Sequence, residues 1–255
     1  MVGDRLVFGT IAFDADDTLW YTERLYLELH ARFQQLLERY RDRQDTARRA
    51  QETELRNLPH YGYGIKGFIL SLVEVAVEVT DGRITGSEIG RVLDWGKEMA
   101  AAEPQLVEGA RDVVVRLAGA YPLMLVTKGD LFEQEAKIAR SGLRPFFRSI
   151  EIVSDKTCDS YSALLSRHGI LPARFLMVGN SLRSDVLPVI QLGGWAAHIP
   201  YSMTWAHENV PLPDSCRDRC FELEHLGMLP GLIEQYSEAL PTGMAAGNPH
   251  SEQSR

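Results

Sequence analysis

A chain of 255 residues with 45% apolar side chains has the composition of a soluble globular protein, large enough for one sizeable core or for a core and a smaller domain. Its formal net charge of −8 argues against general nucleic-acid binding. No apolar run approaches a membrane span, no basic region followed by a long apolar core marks a secretory signal, and three cysteines (Cys158, Cys216, Cys220) fit a reduced cytoplasm better than a disulfide framework.

The apolar run 6–13 predicts a buried strand that ends abruptly in Asp14-Ala15-Asp16-Asp17-Thr18. On an extended strand Asp14 and Asp16 would point to one side. Two anions held so close need a cation between them or a retained proton. Residues 20–103 show no convincing strand. Leu25, Leu29, Phe33, Leu36, Leu37 and Tyr40 recur at helical spacing, and 41–56 alternates charge as a solvated helix would. A turn is expected at 59–64, followed by an amphipathic helix through Ile65, Phe68, Ile69, Leu72, Val75, Ala76 and Val79. Residues 81–86 read as a loop, Ser87 with Glu88 opens a helix towards Ala102, and Pro104 marks the end of this stretch.

A helix over 110–118 then leads to a second apolar strand, 121–126, followed by Thr127-Lys128-Gly129-Asp130. The helix 131–141 is stopped by Gly142, and a third strand, 149–153, runs into Ser154-Asp155-Lys156. Tyr161, Leu164, Leu165 and His168 mark a helix ended by Gly169, with His168 a capping or surface residue. The fourth strand, 175–178, enters Gly179-Asn180-Ser181-Leu182-Arg183-Ser184-Asp185. Val186, Val189 and Ile190 line a helix, 195–199 is a fifth strand carrying His198, and 226–240 closes the chain as a helix. The polar, glycine-containing stretch 241–255 reads as a disordered tail.

Helical patterns separate the strands, so the sheet is expected to be parallel, with its polar residues gathered at the carboxyl edge. The set Asp14-x-Asp16-x-Thr18, Thr127, Lys156 and Gly179-Asn180-x4-Asp185, in this order and each at a strand end, resembles the four signature motifs of the haloacid dehalogenase-like hydrolase superfamily over about residues 5–235. The resemblance implies an α/β fold: a Rossmann-like parallel sheet core in three layers, from 1–19 and 104–240, with an inserted all-helical cap domain over 20–103. It implies a Mg²⁺-dependent phosphatase acting on a small phosphorylated metabolite through an aspartyl-phosphate on Asp14. In that pattern Asp16 is the general acid and then the base, while Thr127 and Lys156 hold the phosphoryl oxygens. Asp14, the Asp16 carbonyl, Asn180 and Asp185 are the candidate metal ligands. Family members often carry an acid where this chain has Asn180, so the choice between Asn180 and Asp185 as direct ligand stays open.

Alternatives on the same residues are a phosphotransferase or phosphomutase, a 2-haloacid dehalogenase, and a non-catalytic binding protein. Dehalogenase members typically lack the second aspartate, so Asp16 favours phosphoryl transfer. Asp17 and Asp130 read as turn or cap residues, and Lys128 as either a substrate contact or a solvated loop lysine. Trp20, Tyr21, Tyr61, Tyr63 and Lys66 are conceivable cap contacts or cap core. Cys216, Cys220 and His225 lack a second pair that would complete a zinc set. No nucleic-acid or membrane partner is expected, and the cap's amphipathic helix could pair with a copy of itself.

Overall fold

The structure, a computed structural model, describes residues 8–237. The expected start of the first strand at Leu6, the end of the last helix and the tail 241–255 lie outside those residues. Strands β1 (Thr10–Phe13), β4 (Leu123–Lys128), β5 (Ser149–Val153), β6 (Phe175–Gly179), β7 (Trp195–His198) and β8 (Cys220–Glu222) form one sheet, in the order β5-β4-β1-β6-β7-β8. Every neighbouring pair is parallel. The strand order runs outward from β1 in both directions, so the β1–β6 boundary is the switch point where α/β sheets open a crevice at their carboxyl ends.

The period of two along the strands sets two apolar faces. Ile11, Phe13, Leu123, Leu125, Leu176 and Val178 pack on one side against Val113, Val114 and Leu117 of α5 (Ala110–Ala118), Ile138 of α6 (Leu131–Ser141) and Ile233 of α9 (Leu229–Ser237). Ala12, Met124, Val126, Phe175 and Met177 face the other side, against Tyr161, Leu164 and Leu165 of α7 (Cys158–His168) and Val189 of α8 (Leu187–Gln191). Each such fully buried side chain contributes about 1.5–3 kcal/mol of transfer free energy, which makes the sheet a rigid base for whatever its edge carries. This is a three-layer Rossmann-like core.

Between β1 and β4, four helices gather around a core of their own: α1 (Glu23–Leu37), α2 (Arg43–Tyr61), α3 (Ile65–Val79) and α4 (Gly86–Ala101), with Leu29, Phe33, Leu72, Val75 and Val92 buried at its centre. The chain enters and leaves this helical cap through a small antiparallel ribbon, β2 (Trp20–Tyr21) against β3 (Gln105–Leu106), a pairing too short to read from periodicity. Two boundaries differ from expectation. α2 continues through Pro59 to Tyr61 because a proline so near the helix end sacrifices only one backbone bond, and Gly62, at φ 70°, ends it. α4 begins one residue before Ser87, since Thr85 and Glu88 form a reciprocal capping box there. Strand β8 was not anticipated. No helix among the described residues is long and apolar enough to cross a membrane.

Candidate active site

The carboxyl ends of β1, β4, β5 and β6 deliver the polar residues. Asp14, Asp16, Thr127, Lys156, Asn180 and Asp185 all line one cavity of about 190 Å³, roofed by cap residues that include Glu23, Tyr26, His30, Glu54 and Tyr63. Lys156 is the hub. Its Nζ lies 2.5 Å from Asp14 Oδ1 and 2.7 Å from Asp185 Oδ1, and all three side chains are buried. Burial, joined by the like charge of Asp185, pushes the Asp14 carboxyl up to about 7 against the pull of Lys156. Burial opposes the charge of Lys156, but Asp14 and Asp185 together outweigh it and hold the ammonium well above its ordinary range.

Asp185 reaches this position because residues 182–186 form a single wide turn of π type, in which Asp185 N–H and Val186 N–H both donate to Ser181 O. Its second oxygen accepts from Ser181 N at 3.0 Å, so both its oxygens are already engaged. A side chain on Gly179 would collide with that carboxylate, which explains the glycine at the end of β6. Asn180 differs. Its amide nitrogen donates to Thr204 Oγ1 at 3.0 Å, which turns its oxygen towards Thr18 Oγ1, 3.2 Å away. The same Thr18 hydroxyl lies 3.1 Å from Asp14 Oδ2. A carboxylate oxygen and an amide oxygen thus lie on either side of the Thr18 hydroxyl, and hard oxygens of this kind are what a small divalent cation retaining several waters takes as ligands. Among the described residues no cluster of three or more His, Cys, Asp or Glu side chains could hold a metal ion by itself.

Asp16 does not follow the extended geometry expected of it. β1 ends at Phe13, and the N–H groups of Thr18, Leu19 and Trp20 all fold back onto Ala15 O, with Asp17 at φ 61°. The carboxylate of Asp16 is therefore carried to its own set of donors: Trp20 Nε1 at 2.9 Å, Thr22 Oγ1 at 2.6 Å, Gln134 Nε2 at 2.8 Å and Lys137 Nζ at 2.8 and 2.9 Å. Burial opposes its charge, but Lys137, Gln134 and Thr22 outweigh that and pull the carboxyl down to about 2. Asp17 caps α1 by accepting from Thr22 N and Glu23 N, and Asp130 caps α6, as their positions suggested.

Lys128 is not a solvated loop lysine. It donates to Ser184 Oγ at 2.9 Å and Glu208 Oε1 at 2.5 Å, under the ring of Tyr63 at 4.0 Å. Glu208 also accepts from Ser181 Oγ and Ser184 Oγ. It comes from the irregular stretch after β7, where no sequence pattern singles it out, and Gln134 and Lys137 were equally invisible inside an ordinary amphipathic helix. Among the conceivable cap contacts, Tyr61 and Tyr63 line the cavity, whereas Trp20 is buried, Tyr21 packs against Tyr201 and Lys66 pairs with Asp130.

The Lys128 network makes a pH prediction. Burial opposes the charge of Glu208, but Lys128 and the two serines bring its carboxyl from 4.5 down to about 2. A carboxyl depressed on folding stabilises the protein above its unfolded value, and that contribution is lost as pH falls through the folded one. Glu208→Gln should cost on the order of 2–3 kcal/mol at neutral pH. Denaturant unfolding at pH 7 and near pH 2.5 checks this; an equal deficit at both pH values would refute it.

A family model described as haloacid dehalogenase-like hydrolase matches residues 8–193. A haloacid dehalogenase-like family hydrolase from Xanthomonas campestris is 36% identical, with 92% of this chain and 94% of that chain covered at a TM-score of 0.81. A HAD-hydrolase from Bacillus subtilis bound to magnesium shares the fold at 18% identity, covering 89% of this chain and 99% of that one, with a TM-score of 0.63. So does L-2-haloacid dehalogenase from Xanthobacter autotrophicus with chloropropionic acid covalently bound, at 16% identity, 89% and 99% coverage and a TM-score of 0.62. No curated protein matches the chain.

Proposed function

The chain belongs to the haloacid dehalogenase-like hydrolases, and from that premise we propose that it is a Mg²⁺-dependent phosphatase of a small phosphorylated metabolite. The observation that carries the reading is Asp16, a second carboxylate lining the same cavity as Asp14 and held there by four side chains. Halide departs without a proton, so displacement of a halide needs no such group. An alkoxide leaving from phosphorus does need one, and the water that follows must lose one.

In the first half-reaction an Asp14 oxygen bonds to phosphorus, the ester P–O bond breaks, and the leaving alkoxide takes its proton from Asp16, which must first bind one from solvent because Lys137, Gln134 and Thr22 favour its charged form. In the second, water attacks phosphorus and gives a proton to Asp16, the P–O bond to Asp14 breaks, and inorganic phosphate is released. Lys156 orients Asp14 and, with Thr127, offers donors to the phosphoryl oxygens. Asn180, Asp14 and the backbone carbonyl of Asp16 would hold the cation, while Asp185, which accepts from Lys156 and from Ser181 N, positions Lys156. Bound Mg²⁺ would neutralise the phosphoryl oxygens so that an anionic nucleophile can approach. The cavity's volume, about 190 Å³, supports a metabolite of a few carbons beyond the phosphate.

Purified protein should release phosphate from p-nitrophenyl phosphate and from members of a metabolite-phosphate panel with Mg²⁺, and EDTA should abolish that release. Chloride release from 2-chloropropionate without phosphate release from any ester would replace this reading with a dehalogenase.

A further inference from the structure

Lys137 has no part in the four motifs, yet it supplies the only cationic donor to Asp16 among the described contacts. It projects from the second turn of α6, and its side chain is almost buried, at 12% exposure. Gln134, one turn earlier, is 3% exposed and places its amide nitrogen between Asp16 Oδ2 and the Lys128 carbonyl oxygen, 2.8 Å from each. That grip fixes the amide, and its own oxygen has no partner among the described residues. Lys137 is in turn backed by Glu133, 3.4 Å away. Glu133 Oε2 accepts from Ile65 N at 2.8 Å, the first residue of the cap helix α3. Gly64, at φ 122°, brings the cap backbone this close; a Cβ there would stand 2.9 Å from Glu133 Oε2. A continuous chain of contacts therefore runs from the cap backbone through Glu133 and Lys137 to Asp16.

We propose that Lys137 and Gln134 are positioning residues that hold Asp16 as the base of the hydrolytic half-reaction, with Glu133 tying that hold to the seated cap. A carboxylate gripped by an ammonium, an amide, an indole and a hydroxyl is fixed in direction. A carboxylate free to rotate would not be aimed at the water that attacks phosphoryl-Asp14. The inference rests on the phosphatase reading, and the experiment separates the two.

The test uses p-nitrophenyl phosphate, whose leaving group departs without help, so that loss of the base shows in the second half-reaction alone. Rapid mixing of Lys137→Met with this ester and Mg²⁺ should give a burst of nitrophenolate close to one equivalent per site, then steady turnover lowered about 10²-fold. The wild type should show little or no burst. Glu133→Gln, which touches neither Asp16 nor phosphorus, should give the same signature in weaker form. Gln134→Leu should do likewise and carries the test if Lys137→Met does not fold. Turnover that falls without a burst, or that does not fall in any variant, overturns the positioning role while leaving the phosphatase reading intact. A wild type that releases no phosphate overturns both.

Discussion

Asp14→Asn should lower phosphate release by at least about 10⁴-fold, below detection in an ordinary assay, because an amide cannot capture phosphorus and the two acids beside it, Asp16 and Asp185, are already engaged. Asp16 is tied to Lys137 and Asp185 is spent on Lys156 and Ser181. The same substitution should not destabilise the protein. In the wild type two buried carboxylates share one ammonium, and burial has already pushed Asp14 up to about 7. A carboxyl whose folded value is raised gives its full stability below the unfolded value, near 4, and loses it as pH rises through about 7. At pH 8 without added metal, the charge on Asp14 is therefore a cost. Asn removes it and leaves Lys156 balanced by Asp185, so unfolding should be unchanged or harder by on the order of 1–2 kcal/mol. Activity and thermal denaturation measured on one preparation check both halves. Lost activity together with a large fall in stability would mean that Asp14 holds the site together and does not do its chemistry.

Lys156→Met should act oppositely on stability. It leaves Asp14 and Asp185 facing each other, buried and without their cation, a loss of about 3–5 kcal/mol for an uncompensated charge. In a domain of this size that lowers Tm by about 10 °C. The deficit should shrink in acid, since Asp14 can then take up a proton, and it should be largest above pH 7. Activity should fall at least about 10²-fold, through loss of a donor to the phosphoryl oxygens and of the group that aims Asp14. Arginine is not an equivalent, because its planar fork does not fit where one ammonium bonds two carboxylates from a buried point. A Lys156→Met protein as stable as wild type at pH 8 would contradict the hub geometry.

These two residues were legible before any fold was known, and the reason is local. An apolar run that ends in a polar group states two things at once: a buried strand, and a side chain left at the sheet's edge. Asp14, Thr127, Lys156 and Asn180 each sit at such a boundary, and the helical spacing between them forces parallel strands. The same reasoning located most helices, since caps such as Asp130 and stops such as Gly142 and Gly169 are also local features. It misplaced Asp16, whose direction follows from a turn in which three N–H groups converge on Ala15 O, an arrangement that alternation along a strand cannot anticipate.

Periodicity reports which way a side chain faces on its own element, not which distant side chain it meets. Lys137 and Gln134 read as ordinary polar positions of a helix until the fold brings them to Asp16, across 121 and 118 residues respectively. Glu208 stands in a stretch with no pattern at all, yet it closes a network over Lys128, Ser181 and Ser184. The sequence by itself determined the parallel sheet, the helical insertion and the acids at the edge, because each is written in a few neighbouring residues. Only the tertiary structure decided which donors each carboxylate meets, because those donors arrive from elsewhere in the chain.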